Sequence, residues 1–328
     1  MDTRDRQELA TKRILSVTGR HGAISARTLE HKISDGGPYN QRIDPHILTP
    51  IRNKLHSDGM LRSVSKYDID WYSLSDASEE DVAARIDFLG PLHKSATVPD
   101  VSKRVGQALE IAFQRAVSET TLDVLGAYTD LDSHDDSTLY SKEEPPSSLN
   151  GHTIPGKGKL DFIVRGDVWA GVELKNTRPW IYPDSAEVKN LLTKALHLNV
   201  VPVLVARRIP YVTNLLLRTT GGITWQTLRQ RFPSSEEDLV EKIKHKEALG
   251  YSDIALGNHV DKSLRDFVGE ILPRTLNEQR QRFDEYRDLL QAFSSGDMHY
   301  AEFAARVRRR ENGKSEDFDE IPPEELPF

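Results

Sequence analysis

Residues 158–209 constrain the fold more than any other part of the chain. "GKLDFIVRGDVWAGVELKN" (158–176) reads as two strands about a Gly-Asp turn signal. It is apolar at Leu160, Phe162, Val164, Val168, Ala170, Val172 and Leu174. A helical stretch follows near 184–198, with Asp184 or Ser185 as its N-cap. "NVVPVLVARRI" is then a continuous apolar run, as expected of a buried strand. This order predicts an α/β core, a mixed sheet flanked by helices. Asp161, Glu173 and Lys175 stand out within it, because unpaired buried charges are costly and such clusters usually mark function.

Glu173 and Lys175 are two apart and so share one face of their strand. Asp161 joins them only in one register. If Asp161 lies opposite Glu173, Ile163 faces Gly171, Arg165 faces Trp169, and Gly166-Asp167-Val168 form a three-residue loop in which Gly166 suits a positive φ. A two-residue turn at Gly166-Asp167 would split the carboxylates between faces, unless a bulge intervenes. The bland alternative is an exposed cross-strand ion pair, worth roughly a few tenths of a kcal/mol.

Hard divalent cations prefer one or two carboxylates plus waters and phosphate oxygens. Such an ion stabilises charge on phosphorus and makes bound water more acidic. A nearby lysine can orient that water and offset developing charge. Asp161, followed by Glu173-Leu174-Lys175, resembles the D…ExK core of the PD-(D/E)xK, restriction-endonuclease-like superfamily. The resemblance spans roughly residues 100–210. It implies a magnesium-dependent nuclease (manganese as a substitute), with Asp161, Glu173 and the Leu174 carbonyl as ligands. It further implies Lys175 as the water-positioning residue, and Glu110, in the helical "GQALE", as an accessory ligand or base. Leu160 replaces the motif's proline, a departure common in the superfamily. Asn176, Arg178 and Lys189 are candidates to touch phosphate or to face water.

Residues 1–76 predict three helices and a hairpin. Ser25 caps the second helix; Asp44 caps the third, Pro45 starts it and Gly59 ends it. "KLHSDGMLRSVSKYDIDWYSL" resembles the end of the third helix and the wing of a winged helix-turn-helix domain. Such domains place the third helix in the major groove and the wing on phosphates. That implies DNA contacts from Arg52, Lys54, His56, Arg62 and Lys66. Residues 1–75 carry a net charge of +3 in a chain of −7 overall. The alternative is a dimerisation or docking module.

Residues 77–100 read as a linker holding a short helix at 78–88, and 101–118 as an amphipathic helix with Val105, Leu109, Ala112, Phe113 and Ala116 on one side. Within a core spanning 101–234, the acidic, Ser/Pro/Gly-rich stretch 129–158 reads as a flexible insert. Residues 235–310 read as helical. The tail, 311–328, has a net charge of −6 and cannot form a core. Its end resembles the tip of bacterial single-stranded-DNA-binding proteins. That resemblance implies that Pro327 and Phe328 dock on a replication or repair protein; self-masking and plain solvation are the alternatives.

The chain has no cysteine, which excludes disulfides and thiolate zinc sites and fits a cytoplasmic protein. No apolar run is long enough to span a membrane. The expected function is DNA cleavage guided by a winged-helix reader, in defence or restriction. A structure-selective repair or replication nuclease and a non-cleaving DNA-binding regulator are the alternatives. A single catalytic site per chain would suggest a homodimer for double-strand cleavage.

Overall fold

The computed structural model describes residues 3–36 and 42–317. In chain order the elements begin with α1 (Thr3–His21), β1 (Ile24–Ser25), α2 (Ala26–Glu30), a π-helical turn (His31–Asp35), α3 (Pro45–Ser57), β2 (Leu61–Lys66), β3 (Ile69–Leu74) and α4 (Glu79–Ser95). Next come α5 (Pro99–Ser118), β4 (Asp123–Leu125), the short strands β5 (Ala127–Tyr128), β6 (Lys142–Glu143), β7 (Ser148–Leu149) and β8 (His152–Thr153), then β9 (Phe162–Arg165) and β10 (Trp169–Lys175). The remainder is α6 (Ala186–Leu198), β11 (Val201–Ala206), α7 (Tyr211–Thr219), β12 (Ile223–Gln226), β13 (Gln230–Phe232), α8 (Glu237–Lys244), β14 (Ile254–Leu256), α9 (Lys262–Asp266), α10 (Leu272–Glu285), α11 (Arg287–Ser295) and α12 (Tyr300–Glu311). The chain is a mixed α/β protein of two compact units. Residues up to Lys103 join Ser234–Leu256 in the first, and Arg104–Pro233 joins the chain from Gly257 onward in the second.

In the first unit β1, β3 and β2 form an antiparallel sheet in that order. Tyr67 and Asp68, both at positive φ (62° and 61°), make the tight turn between β2 and β3. Ser25 caps α2 by accepting from Thr28 N at 3.2 Å. Ala10, Ile14, Ile24, Leu29, Leu48, Leu55 and Leu61 form the core. The expected linker is not one: α4 runs through Pro91 to Ser95. Tertiary packing overrides the proline, since Leu89, Gly90 and His93 are buried and the His93 ring lies edge-on to Trp71 at 6.1 Å. A Cβ on Gly90 would stand 2.1 Å from the Tyr67 ring, so only glycine lets the turn and α4 meet. The expected helical stretch 235–310 is also divided. Its first part, with α8 burying Val240 and Ile243, belongs to this unit.

The second unit is built on a five-stranded sheet of order β12-β11-β10-β9-β4. β4, β9 and β10 are antiparallel, while β10, β11 and β12 are parallel. All six residues of β11 are buried, as a central strand covered on both faces requires. On one face Leu109, Ala112, Phe113 and Ala116 of α5 pack with Phe162, Val164, Val172 and Val203, joined by Leu264, Phe267 and Leu272. On the other, Ile163 and Leu204 pack with Val188, Leu191 and Ala195 of α6, joined by Phe283, Leu290, Phe293 and Phe303. The carboxyl-terminal helices therefore complete this core. Residues 129–158 are also more than an open insert. β5 pairs with β6 and β7 with β8, and Tyr140 and Ile154 are buried. Gln107 of α5 holds Tyr140 through both its backbone groups, at 2.9 and 3.0 Å.

Among the described residues no helix is long and apolar enough to cross a membrane.

Candidate active site

The register of β9 and β10 decides what the charged residues can do. Ile163 lies opposite Gly171 and Arg165 opposite Trp169, and Gly166 N donates to Val168 O at 3.2 Å. This is the three-residue-loop register, and one step beyond Phe162 it brings Asp161 alongside Glu173. The reason expected for Gly166 is corrected: its backbone lies outside the left-handed region. Space is its constraint instead, because a Cβ would meet Leu276 at 3.2 Å and Leu122 at 3.3 Å. At Gly171, on the Glu173 face, a Cβ would come within 2.5 Å of Leu160 and 2.9 Å of Val200.

Asp161 sits where the antiparallel ladder ends. Its N–H donates to Val172 O at 3.0 Å, and its Oδ2 accepts from Leu174 N at 2.7 Å. The side chain thus replaces a ladder partner for β10. Glu173 is only 3% exposed. It accepts from Lys175 Nζ at 2.8 Å and from Lys194 of α6. Glu110, on α5, accepts from Tyr128 OH at 2.8 Å and from Lys142 of β6.

Burial, reinforced by the charges of Glu173 and Glu110, pushes the Asp161 carboxyl up to about 7; Lys175 and the Leu174 N–H oppose the shift. For Lys175 burial works against the charged form, but Glu173, Asp161 and Glu110 outweigh it and raise its pKa. The sequence-selected residues Asp161, Glu173, Lys175 and Glu110 thus feel one another's charge.

The donor set is three carboxylates with the Leu174 backbone beside them and an ammonium at hand. These hard oxygen donors suit magnesium or manganese. They do not form a closed shell. Among the described residues, His31, Asp35 and Asp253 of the other unit are a group whose ligand atoms all lie within 4.8 Å of one another. Asp161, Glu173 and Glu110 are drawn instead to the Leu174 N–H, to two lysines, and to Tyr128 with Lys142.

Family models, curated proteins and solved structures gave no match to this chain.

Sequence reasoning missed Lys142 and Lys194. Lys194 had a faint signal, standing between Leu191 and Ala195 on the buried stripe of α6. Lys142 had none, since 32 residues and an irregular segment separate it from Glu110. Asn176 and Arg178 are buried and serve the fold. Asn176 accepts from Arg231 N at 2.9 Å and donates to Arg231 O at 2.8 Å, and Arg178 donates to Gln230 at 3.4 Å. The Lys189 ammonium lies 5.3 Å from the Phe293 ring centroid.

The basic residues expected to face DNA divide. Lys54 and His56 are exposed on α3, His56 touching Ser63 Oγ at 3.1 Å. Lys66 is exposed and paired with Asp87. Arg52 and Arg62 are engaged within their own unit, which the expectation for them did not include. The Arg52 guanidinium lies 4.9 Å over the Tyr72 ring and 3.8 Å from Glu30. Arg62 donates to Ser73 at 3.1 Å and to Ala77 O at 2.6 Å. Pro327 and Phe328 lie outside the described residues.

Proposed function

We propose that this protein is a metal-dependent nuclease of the PD-(D/E)xK type that hydrolyses DNA phosphodiester bonds. The observation that carries the reading is the meeting of Asp161, Glu173 and Lys175 at the end of the β9–β10 hairpin, with Glu110 delivered by α5. The order of helix, antiparallel strands, helix and parallel strand resembles the restriction-endonuclease-like fold.

In this reading Asp161, Glu173 and the Leu174 carbonyl hold magnesium or manganese, and Glu110 is an accessory ligand or base. The ion, when bound, neutralises phosphate charge and makes a bound water more acidic. Lys175, kept charged by its carboxylate neighbours, orients the attacking water and offsets charge on the phosphate. The water gives one proton to Glu110 acting as base as its oxygen bonds to phosphorus and the bridging P–O bond breaks, and the departing oxygen takes up a proton from bulk water. Lys142 and Lys194, beside Glu110 and Glu173, would offer further positive charge to phosphate oxygens.

The first unit supports a winged-helix reader. Its helices, the sheet order β1-β3-β2 and the tight β2–β3 turn support that reading, and Lys54 and His56 are exposed basic groups on α3. Joining a reader to a cutting core favours restriction or defence. One observation favours a second reading, a DNA-binding protein that does not cut: Glu173 is held by two lysines at once. Magnesium-dependent nicking of supercoiled plasmid separates the two. Cleavage by the native chain that disappears in Asp161→Ala and Lys175→Ala supports the nuclease. Binding without cleavage under magnesium and manganese overturns it.

A further inference from the structure

A second group of ligand-type side chains meets within the first unit. His31 opens the π-helical turn, Asp35 closes it, and Asp253 stands just before β14. His31 Nδ1 lies 2.9 Å from Asp35 Oδ2 and 3.9 Å from Asp253 Oδ1. The side chains are 6%, 3% and 14% exposed, so water screens them little. His31 Nε2 lies 3.1 Å from the Gly250 carbonyl oxygen.

That last contact fixes the chemistry of the ring. A carbonyl can only accept, so Nε2 carries the hydrogen. Nδ1 is then the ring atom that faces Asp35 and Asp253, and one ligand atom from each of the three residues lies within 4.8 Å of the other two. A cation with bonds of about 2.0–2.2 Å can engage all three groups after small side-chain shifts. Donation of the outer N–H to a backbone carbonyl is also how metal-bound imidazoles are usually oriented. The ring is held from its side as well. Tyr251 meets it edge-on at 5.1 Å, and the Tyr251 hydroxyl reaches Thr28 at 3.3 Å.

We propose that His31 Nδ1, Asp35 and Asp253 bind one divalent transition-metal ion of the zinc or manganese class. An imidazole among the donors favours such an ion over magnesium or calcium. Two of the ligands come from the amino-terminal segment and one from the segment 234–256. The ion would therefore clamp the returning strand of chain to the helices it packs with. This role is structural and does not depend on the nuclease reading.

The test uses the full chain carrying Asp161→Asn and Glu173→Gln, so that the other carboxylate group does not contribute. After chelator treatment, titration with zinc, manganese or magnesium chloride is followed by calorimetry and metal analysis. The expected result is one equivalent of zinc or manganese, little magnesium, and a thermal midpoint raised by about 5 °C at saturating metal. Adding Asp253→Asn or Asp35→Asn should weaken zinc by about 100-fold. Should either variant fail to fold, cobalt titration of the parent chain gives the answer from its visible bands, which an imidazole–carboxylate site intensifies. Absence of stoichiometric zinc, manganese and cobalt binding in the parent chain overturns the proposal and leaves a His31–Asp35 hydrogen bond. Undiminished zinc affinity in folded Asp253→Asn and Asp35→Asn overturns it equally.

Discussion

The hairpins β2–β3 and β9–β10 both carry charged residues, yet they hold them in opposite ways. At β9–β10 Asp161, Glu173 and Lys175 lie among apolar neighbours and are held close by: Glu173 by Lys175 and by Lys194 of α6, Asp161 by the Leu174 N–H. In β2–β3 the strand β2 is exposed over most of its length. Its Arg62 and Lys66 are tied to Ser73, Ala77 and Asp87 nearby. Buried charge is held at high energetic stake and becomes chemically poised, as the raised Asp161 carboxyl shows. Exposed charge is screened and settles on whatever neighbour is within reach.

The largest difference between the hairpins should appear in catalysis. Lys175→Ala should lower plasmid cleavage by at least about 1,000-fold with DNA affinity changed only a few-fold. Lys66→Ala should leave the cleavage rate at saturating DNA nearly unchanged. Equal losses from the two variants would dissolve the contrast.

A second effect is pH-dependent and belongs to the first unit. Burial, with the nearby Arg27 charge, lowers His93 to about 4. The unfolded chain takes up that proton near pH 6.5, before the folded one does. The stability is therefore present in full above pH 6.5 and is lost as pH falls toward 4. Between pH 7 and 5 the loss is about 2 kcal/mol, readable as a lower urea midpoint. His93→Gln should flatten that part of the profile. An unchanged slope would mean that other groups carry it.

The third effect tests packing under the catalytic hairpin. Gly171→Ala should destabilise by about 2 kcal/mol because its Cβ collides with Leu160 and Val200. Val64→Ala, at a position 42% exposed in the other hairpin, should cost under about 0.5 kcal/mol. Urea titration of both variants measures the gap.

The smallest effect sharpens the reader. Lys54→Ala should weaken duplex binding by about 3- to 10-fold and flatten its salt dependence. Arg62→Ala should act mainly on stability, since its guanidinium is engaged with Ser73 and Ala77. A larger binding defect in folded Arg62→Ala would reverse this ranking.

The same contrast explains what was legible. The apolar flanks of Asp161 and Glu173 made the charges conspicuous, and strand alternation limited the register to two choices. β11 could be read because a fully buried strand has one composition. Arg52 and Arg62 read as DNA contacts yet are engaged within their own unit, because a basic residue on an exposed element looks the same whether it meets phosphate or its own fold. The short helix expected at 78–88 extends through Pro91 to Ser95, because buried Leu89 and His93 hold it against the unit. Lys142, and the return of residues 234–256 to the first unit, depend on contacts far apart in sequence, for which local pattern holds no signal.

That return has a consequence for synthesis. When Lys103 is made, the first unit still lacks α8, and the 130 residues Arg104–Pro233 must be translated before the missing segment begins. At about 5–20 residues per second this delay is roughly 6–26 s. During it, the surface that Val240 and Ile243 will cover remains open to chaperones or to a neighbouring nascent chain. A polysome carrying several such chains would then be the place where exchange of this segment between copies is easiest.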